Sequence, residues 1–143
     1  MYRYDELQTI LNEIPLFAGC SEDTLADIAK IVQEREYAKG ETIYEAGAEA
    51  LDMFVLMKGL VSFTGGGLLN VQTVMKRHMI FGWAALVPEH PHRLGSAVCL
   101  DDSKLLSING DALLDVFGRQ PKAGFLVMKR LCSLIASTFI EKR

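Results

Sequence analysis

The sequence predicts a mainly β chain with flanking helices, an α+β domain in which an eight-stranded barrel is bracketed by helical ends. Three observations predict it. Apolar residues recur at helical spacing through residue 32; residues 33–108 break into runs of about five residues separated by glycine turns; and a long helical pattern returns after residue 109. Turn signals at that rate indicate an all-β sandwich or barrel rather than a parallel sheet with crossover helices. One domain, 1–143, is the expectation for 143 residues, and a chain of this size buries roughly 68–70% of its unfolded surface, enough for a core without staples.

Leu7, Ile10, Leu11 and Ile14 lie on one face of a helix over 4–13, which Pro15 closes. Ser21 is the expected N-cap of a second helix over 22–32. Glu22 and Asp23 favour its positive end, and Leu25, Ile28, Ala29 and Val32 form its apolar face. Strands are expected at 33–38, 41–45, 53–57, 60–64, 70–75, 96–100 and 104–108, with a further strand ending at the segment that starts at Ile80. Gly65-Gly66-Gly67 lacks the Lys-Ser/Thr of a phosphate loop and reads as a hairpin connection. Asn109 is a candidate N-cap for a helix over 111–117, and Pro121 opens a longer helix to about residue 141. On that helix Phe125, Met128, Leu131, Ile135 and Phe139 form a stripe, flanked by Val127, Leu134 and Thr138. So wide an apolar surface can cover the barrel and also meet a second copy across a two-fold axis, so a homodimer through the C-terminal helix is expected.

Composition excludes several functions. Half of the residues (50%) are hydrophobic and the formal net charge is −3, so neither disorder nor a bulk field that recruits nucleic acid is expected. Lys129, Arg130, Lys142 and Arg143 are the only basic grouping near the C-terminal end, and direct nucleic-acid binding is not expected of them. No apolar run reaches the roughly 18 residues of a membrane span, and the polar start lacks the apolar stretch of a signal peptide, so a cytoplasmic location and no membrane partner are expected. Cys20, Cys99 and Cys132 show no CxxC spacing, and Cys99 and Cys132 read as core residues. Glu89, His90 and His92 make the one cluster with metal-ligand chemistry. Pro88 and Pro91 place it in a loop, and it lacks further ligands, so no metal site is expected. No Ser/His/Asp arrangement stands out, and no catalytic residue and no enzymatic activity are predicted.

The candidate site is the stretch Ile80-Phe81-Gly82-Trp83-Ala84-Ala85-Leu86 together with Arg93. A glycine at a strand end before a short apolar turn offers backbone N–H groups to an anion. Arginine adds a planar fork suited to phosphate or carboxylate.

The order of elements, helix, barrel interrupted by a short helical cassette, then a long helix, resembles the cyclic nucleotide-binding domain of the catabolite-activator and FNR regulators. Pro15-Leu16-Phe17 with Ser21 and Leu25 is similar to the family's opening. Lys39-Gly40-Glu41-Thr42-Ile43-Tyr44 with Gly47 is similar to its first hairpin, Met57-Lys58-Gly59-Leu60-Val61 to its second, and Phe81-Gly82 with Arg93 to its phosphate cassette. The resemblance implies a jelly-roll, cupin-like double-stranded β-helix divided as 1–32, 33–108 with the cassette at 80–93, and 109–143. It implies that Gly82, Ala84 and Ala85 present N–H groups to a cyclic phosphate that Arg93 neutralises. Leu94 takes a position often held by a small hydroxyl residue, and Thr138 matches a long-helix position that reaches the purine. Trp83 departs from the pattern, standing where nucleotide-binding members carry a glutamate that accepts the ribose 2′-hydroxyl. Indole cannot accept, which would cost roughly 1–3 kcal/mol. Cyclic AMP, cyclic GMP, another small anion and no ligand therefore all stay open. So do two functions: a sensor module of a Crp/FNR-type signalling or transcription regulator, and a dimerisation module that has kept the barrel and lost the ligand.

Overall fold

Ten helical residues, Tyr4–Glu13, precede Pro15, and a run of glycine turns follows Val32. The computed structural model describes residues 1–65, 72–87, 89 and 92–140, with the side chains of 72, 73 and 138–140 excepted. These gather into two compact units, one made of Met1–Ile31 with the segment from Ala112 onward, the other of Val32–Asp111.

The first unit is helical. Helix α1 spans Tyr4–Glu13 and α2 Glu22–Ile31. Ser21 does cap α2: its Oγ accepts the Thr24 backbone N–H at 3.2 Å. Helices α3, Gly110–Arg119, and α4, Pro121–Ile140, follow the β region. Leu11, Ile14, Phe17, Ile28, Leu113 and Leu131 are among the fully buried side chains. Arg130 on α4 donates to the carbonyls of Pro15, Leu16 and Ala18 at 3.1, 3.2 and 2.6 Å, satisfying the turn after α1. Gln120 links Thr24 to Asp27, which also pairs with Arg119 at 3.6 Å.

The apolar stripe on α4 is placed differently from the expectation. Val127 and Leu131 are buried, but Phe125 is 70% exposed. Gly124 is the reason: a Cβ there would stand 2.7 Å from Phe117 Cβ, so the close approach of α3 is made on the glycine side. Phe125 points outward with Lys129 over its ring at 5.4 Å. Cys132, seven residues on, shares that outward face and is exposed, contrary to its reading as a core residue, whereas Cys99 is buried as expected.

The second unit is β. Eight strands are described: β1 Val32–Tyr37, β2 Thr42–Tyr44, β3 Asp52–Lys58, β4 Val61–Gly65, β5 Gln72–Met75, β6 Ile80–Phe81, β7 Gly95–Cys99 and β8 Ser103–Asn109. They form two antiparallel four-stranded sheets, in the orders β1-β8-β3-β6 and β2-β7-β4-β5. Among the described residues no strand pairing joins one sheet to the other, so the expected eight-stranded barrel is present as two four-stranded sheets that do not close. Phe54, Leu56, Phe81 and Leu105 from the first meet Val61, Met75, Ala97 and Cys99 from the second in one apolar cluster. Side-chain packing rather than hydrogen bonding holds the faces together. Val61↔Met75 and Thr64↔Gln72 pair as arms of a hairpin, while Gly66 and Gly67 of the predicted connection, and Asn70 of the predicted strand, lie outside the described residues.

Candidate functional site

Strand β6 ends at Phe81 because Gly82 turns the chain. Its φ of 74° and ψ of 27° lie in the left-handed region, and residues Trp83–Leu86 follow as a single 3₁₀ turn. The first bond of that turn runs from the Ala85 N–H to the Gly82 carbonyl at 3.3 Å. The N–H groups of Trp83 and Ala84 stand ahead of it, at the end of the turn where backbone donors have no intrahelical acceptor. Ala84 is buried at 8% exposure, and Trp83 and Ala85 are half-buried. Glycine at position 82 is needed on two counts: the positive φ, and the space, since a Cβ would sit 3.0 Å from Arg93 Nη1, 3.1 Å from Phe54 Cδ2 and 3.2 Å from the Asp52 carbonyl.

Arg93 reaches the same point from across the loop. Its backbone is pinned, its N–H donating to Ala48 O at 2.7 Å and its carbonyl accepting from Gly47 N at 2.9 Å. Its side chain is only 6% exposed. Nη1 donates to the Gly82 carbonyl at 2.9 Å and Nη2 to the Asp52 carbonyl at 2.6 Å. The guanidinium carbon lies 4.1 Å from the centre of the Tyr44 ring and 5.8 Å from that of Phe54. Nε is buried and has no hydrogen-bond partner. Among the described residues no carboxylate stands at ion-pair distance from Arg93. The acidic group it feels is Asp52, which faces Arg35 at 3.9 Å. Burial pushes the Arg93 pKa down, opposed by Tyr44 and Asp52, yet a guanidinium remains charged at neutral pH. A cation is thus held under the cassette with backbone carbonyls and ring faces for company and its Nε–H unspent.

Sequence reasoning missed Tyr44, the carbonyl of Asp52 and Gly110. Tyr44 was read only as a strand residue, although it lies in the motif Lys39–Tyr44. Its ring stacks on Phe54 at 6.1 Å and meets Phe81 at 6.4 Å. Burial drives its pKa up to about 12, against the lowering effects of Arg93 and of a hydrogen bond with the Gly82 backbone. Gly110 is tight against the cassette, since any Cβ there would run into the Ala85 carbonyl. Of the other predicted site residues, Leu94 is 44% exposed and beside Arg93 in the chain. Thr138 lies on α4 but its side chain is outside the described residues, as are His90, Pro88 and Pro91 of the metal-like loop and Lys142 and Arg143 of the basic grouping. Among the described residues no group of three or more His, Cys, Asp and Glu could hold a metal ion. No helix among them is long and apolar enough to cross a membrane.

The family model of the cyclic nucleotide-binding domain matches residues 34–120, a span that includes Tyr44, the cassette and Arg93. Among curated proteins, the chain is 22% identical over 135 residues to a CRP-like cAMP-activated global transcriptional regulator of Mycobacterium tuberculosis, covering 92% of this chain and 60% of that protein. It is 33% identical over 64 residues to a Drosophila melanogaster cGMP-dependent protein kinase, covering 45% of this chain and 7% of the kinase. The chain therefore spans less than two thirds of the length of these curated relatives. The sensor domain of the transcriptional regulator DNR from Pseudomonas aeruginosa superposes with a TM-score of 0.76 at 17% identity, covering 98% of this chain and 95% of that one. At that identity the likeness speaks for the fold.

Proposed function

The chain belongs to the cyclic nucleotide-binding domain family, and from that membership we propose that it is the ligand-sensing module of a Crp/FNR-type regulator, non-enzymatic, taking a small anion at Gly82 and Arg93. The observation that carries this is Arg93: a buried arginine, 6% exposed, with no carboxylate at ion-pair distance among the described residues and an orphaned Nε–H. An isolated buried charge is costly, and an anion seated on the cassette would supply both the missing charge and the missing acceptor. The amides of Trp83 and Ala84 would complete the cradle. One buried cation, with the Asp52 carboxylate already in its field, balances a monoanion such as a phosphodiester or carboxylate better than a dianion. Cyclic AMP and cyclic GMP fit that charge, and relatives named for cAMP and cGMP support the class.

The outward face of α4, with Phe125 and Cys132, supports a homodimer in which ligand binding and assembly are thermodynamically linked. In this reading the signal leaves through α4. In this reading these residues would not themselves bind DNA.

Trp83 favours a second reading, a dimerisation module without a ligand. Its indole replaces the acceptor that a ribose hydroxyl needs, and among the described residues its ring has no aromatic partner. Thermal shift separates the two. Saturation at about 100 times Kd stabilises by about 2.7 kcal/mol, a rise of several degrees for a chain of this size. Such a rise with cyclic AMP, cyclic GMP or a cyclic dinucleotide, lost in Arg93→Ala, is the sensor result. Silence toward every nucleotide and simple anion overturns it in favour of the scaffold.

A further inference from the structure

Tyr44 touches both halves of the proposed anion site. Its ring face lies under the Arg93 guanidinium at 4.1 Å, and a hydrogen bond joins it to the Gly82 backbone. It comes from β2 of one sheet, whereas the rings it stacks on, Phe54 and Phe81, come from β3 and β6 of the other. Phe54 and Phe81 are themselves stacked at 5.3 Å, so the platform is a three-ring cluster rather than one mobile side chain. A guanidinium stacked on such a face has its N–H groups free to reach sideways. Two of those groups are fixed on the Gly82 and Asp52 carbonyls, so little rotational freedom is left. The remaining donors, the unpartnered Nε–H among them, have a set direction before any ligand arrives.

We propose that Tyr44 is the positioning residue of this anion site: its ring face fixes the plane in which the Arg93 guanidinium meets the ligand. This rests on the anion-binding reading above and goes beyond it, since it assigns the orientation of the cation to a residue on the opposite sheet. Orientation settled in advance removes an ordering cost from binding. The ring is the working part; the hydroxyl serves the Gly82 turn.

The test uses Tyr44→Phe, which keeps the ring, and Tyr44→Leu and Tyr44→Met, which remove it, each first checked for a cooperative thermal transition. Side-chain ¹⁵N–¹H spectra report on Arg93 without any ligand. The wild type is expected to show one arginine Nε–H displaced upfield by the ring current and slow to exchange, assigned by its absence from Arg93→Lys. Tyr44→Phe keeps that signal, while the leucine and methionine variants move it to the position of exposed arginines. Isothermal titration with cyclic AMP and with diethyl phosphate then reads affinity. Tyr44→Phe stays within about threefold of wild type, and the ringless variants weaken by about two- to thirtyfold, the span of a cation–π contact from exposed to desolvated settings. An undisplaced wild-type signal, or ringless variants that keep both the signal and the affinity, overturns the proposal. If neither probe binds the wild type, it is the function proposed above that fails. The Nε–H signal alone then decides whether Tyr44 orients the guanidinium.

Discussion

Gly82→Ala tests whether the space around the cassette glycine is as tight as its contacts imply. Two separable costs add. An alanine at φ 74° is in the left-handed region, which costs about 1–2 kcal/mol. Its Cβ also meets Arg93 Nη1 at 3.0 Å, Phe54 Cδ2 at 3.1 Å and the Asp52 carbonyl at 3.2 Å. The Asp52 oxygen belongs to the backbone, and the arginine is held by its two carbonyl bonds, so relief requires moving groups that are themselves fixed. Overpacking of that kind costs about 1–3 kcal/mol, giving about 2–5 kcal/mol in all. Gly47 provides the control: its φ is 84° and a Cβ there meets nothing within 4 Å, so Gly47→Ala carries the backbone cost alone. Urea unfolding of the two variants and the wild type, followed by far-UV circular dichroism, gives both losses. Gly82→Ala is expected to lose at least 1 kcal/mol more than Gly47→Ala, a margin within the overpacking range. Equal losses would refute the crowding and loosen the assembly of Gly82, Phe54 and Arg93 on which the site is built.

Three further outcomes follow from the same structure. Because Tyr44 ionises at about 12 when folded and at about 10 when unfolded, the unfolded chain loses the proton first. Its contribution, present below pH 10, is lost as pH rises from about 10 to 12, about 2–3 kcal/mol in total. Unfolding of the wild type against Tyr44→Phe across that range should show the extra slope in the wild type only, and parallel curves would count against the buried phenol. Trp83→Glu restores a carboxylate acceptor after the glycine and should strengthen cyclic nucleotide binding by about 5- to 150-fold, measured by calorimetry; an equally weak variant would mean that more than this position differs. On α4, Leu131→Ala should cost about 2–5 kcal/mol because the side chain is 2% exposed. Phe125→Ala, 70% exposed, should leave unfolding nearly unchanged yet weaken self-association in sedimentation; a monomeric wild type would remove the dimer.

What the sequence disclosed depends on how local each feature is. Helix α1 was legible to the residue, because the spacing of Leu7, Leu11 and Ile14 and the stop at Pro15 are all nearest-turn effects. Most strands were legible to within one or two residues from their glycine turns, and Gly82 with Arg93 from their frame in the family motif. The stacking of Arg93 on Tyr44 was not, since it joins residues of separate turns that only the sheets bring together. The outward turn of Phe125 was missed for a related reason. Counting large apolar residues gives no weight to Gly124, although the smallest residue on the helix decides which side Phe117 approaches. The rate of glycine turns indicates a sandwich or barrel, and it does not say whether a pairing is made from one sheet to the other.

The helical unit is assembled from both ends of the chain, with the whole β unit between them. Its hydrogen bonds from Arg130 back to Pro15, Leu16 and Ala18 close a loop of more than a hundred residues, an entropic cost met only when α4 exists. On the ribosome α1 and α2 emerge before the strands and α4, and their apolar faces must wait uncovered until α4 has been made. They are the segments of nascent chain that a chaperone would hold longest, while the strands, contiguous from Val32 to Asp111, can settle during synthesis.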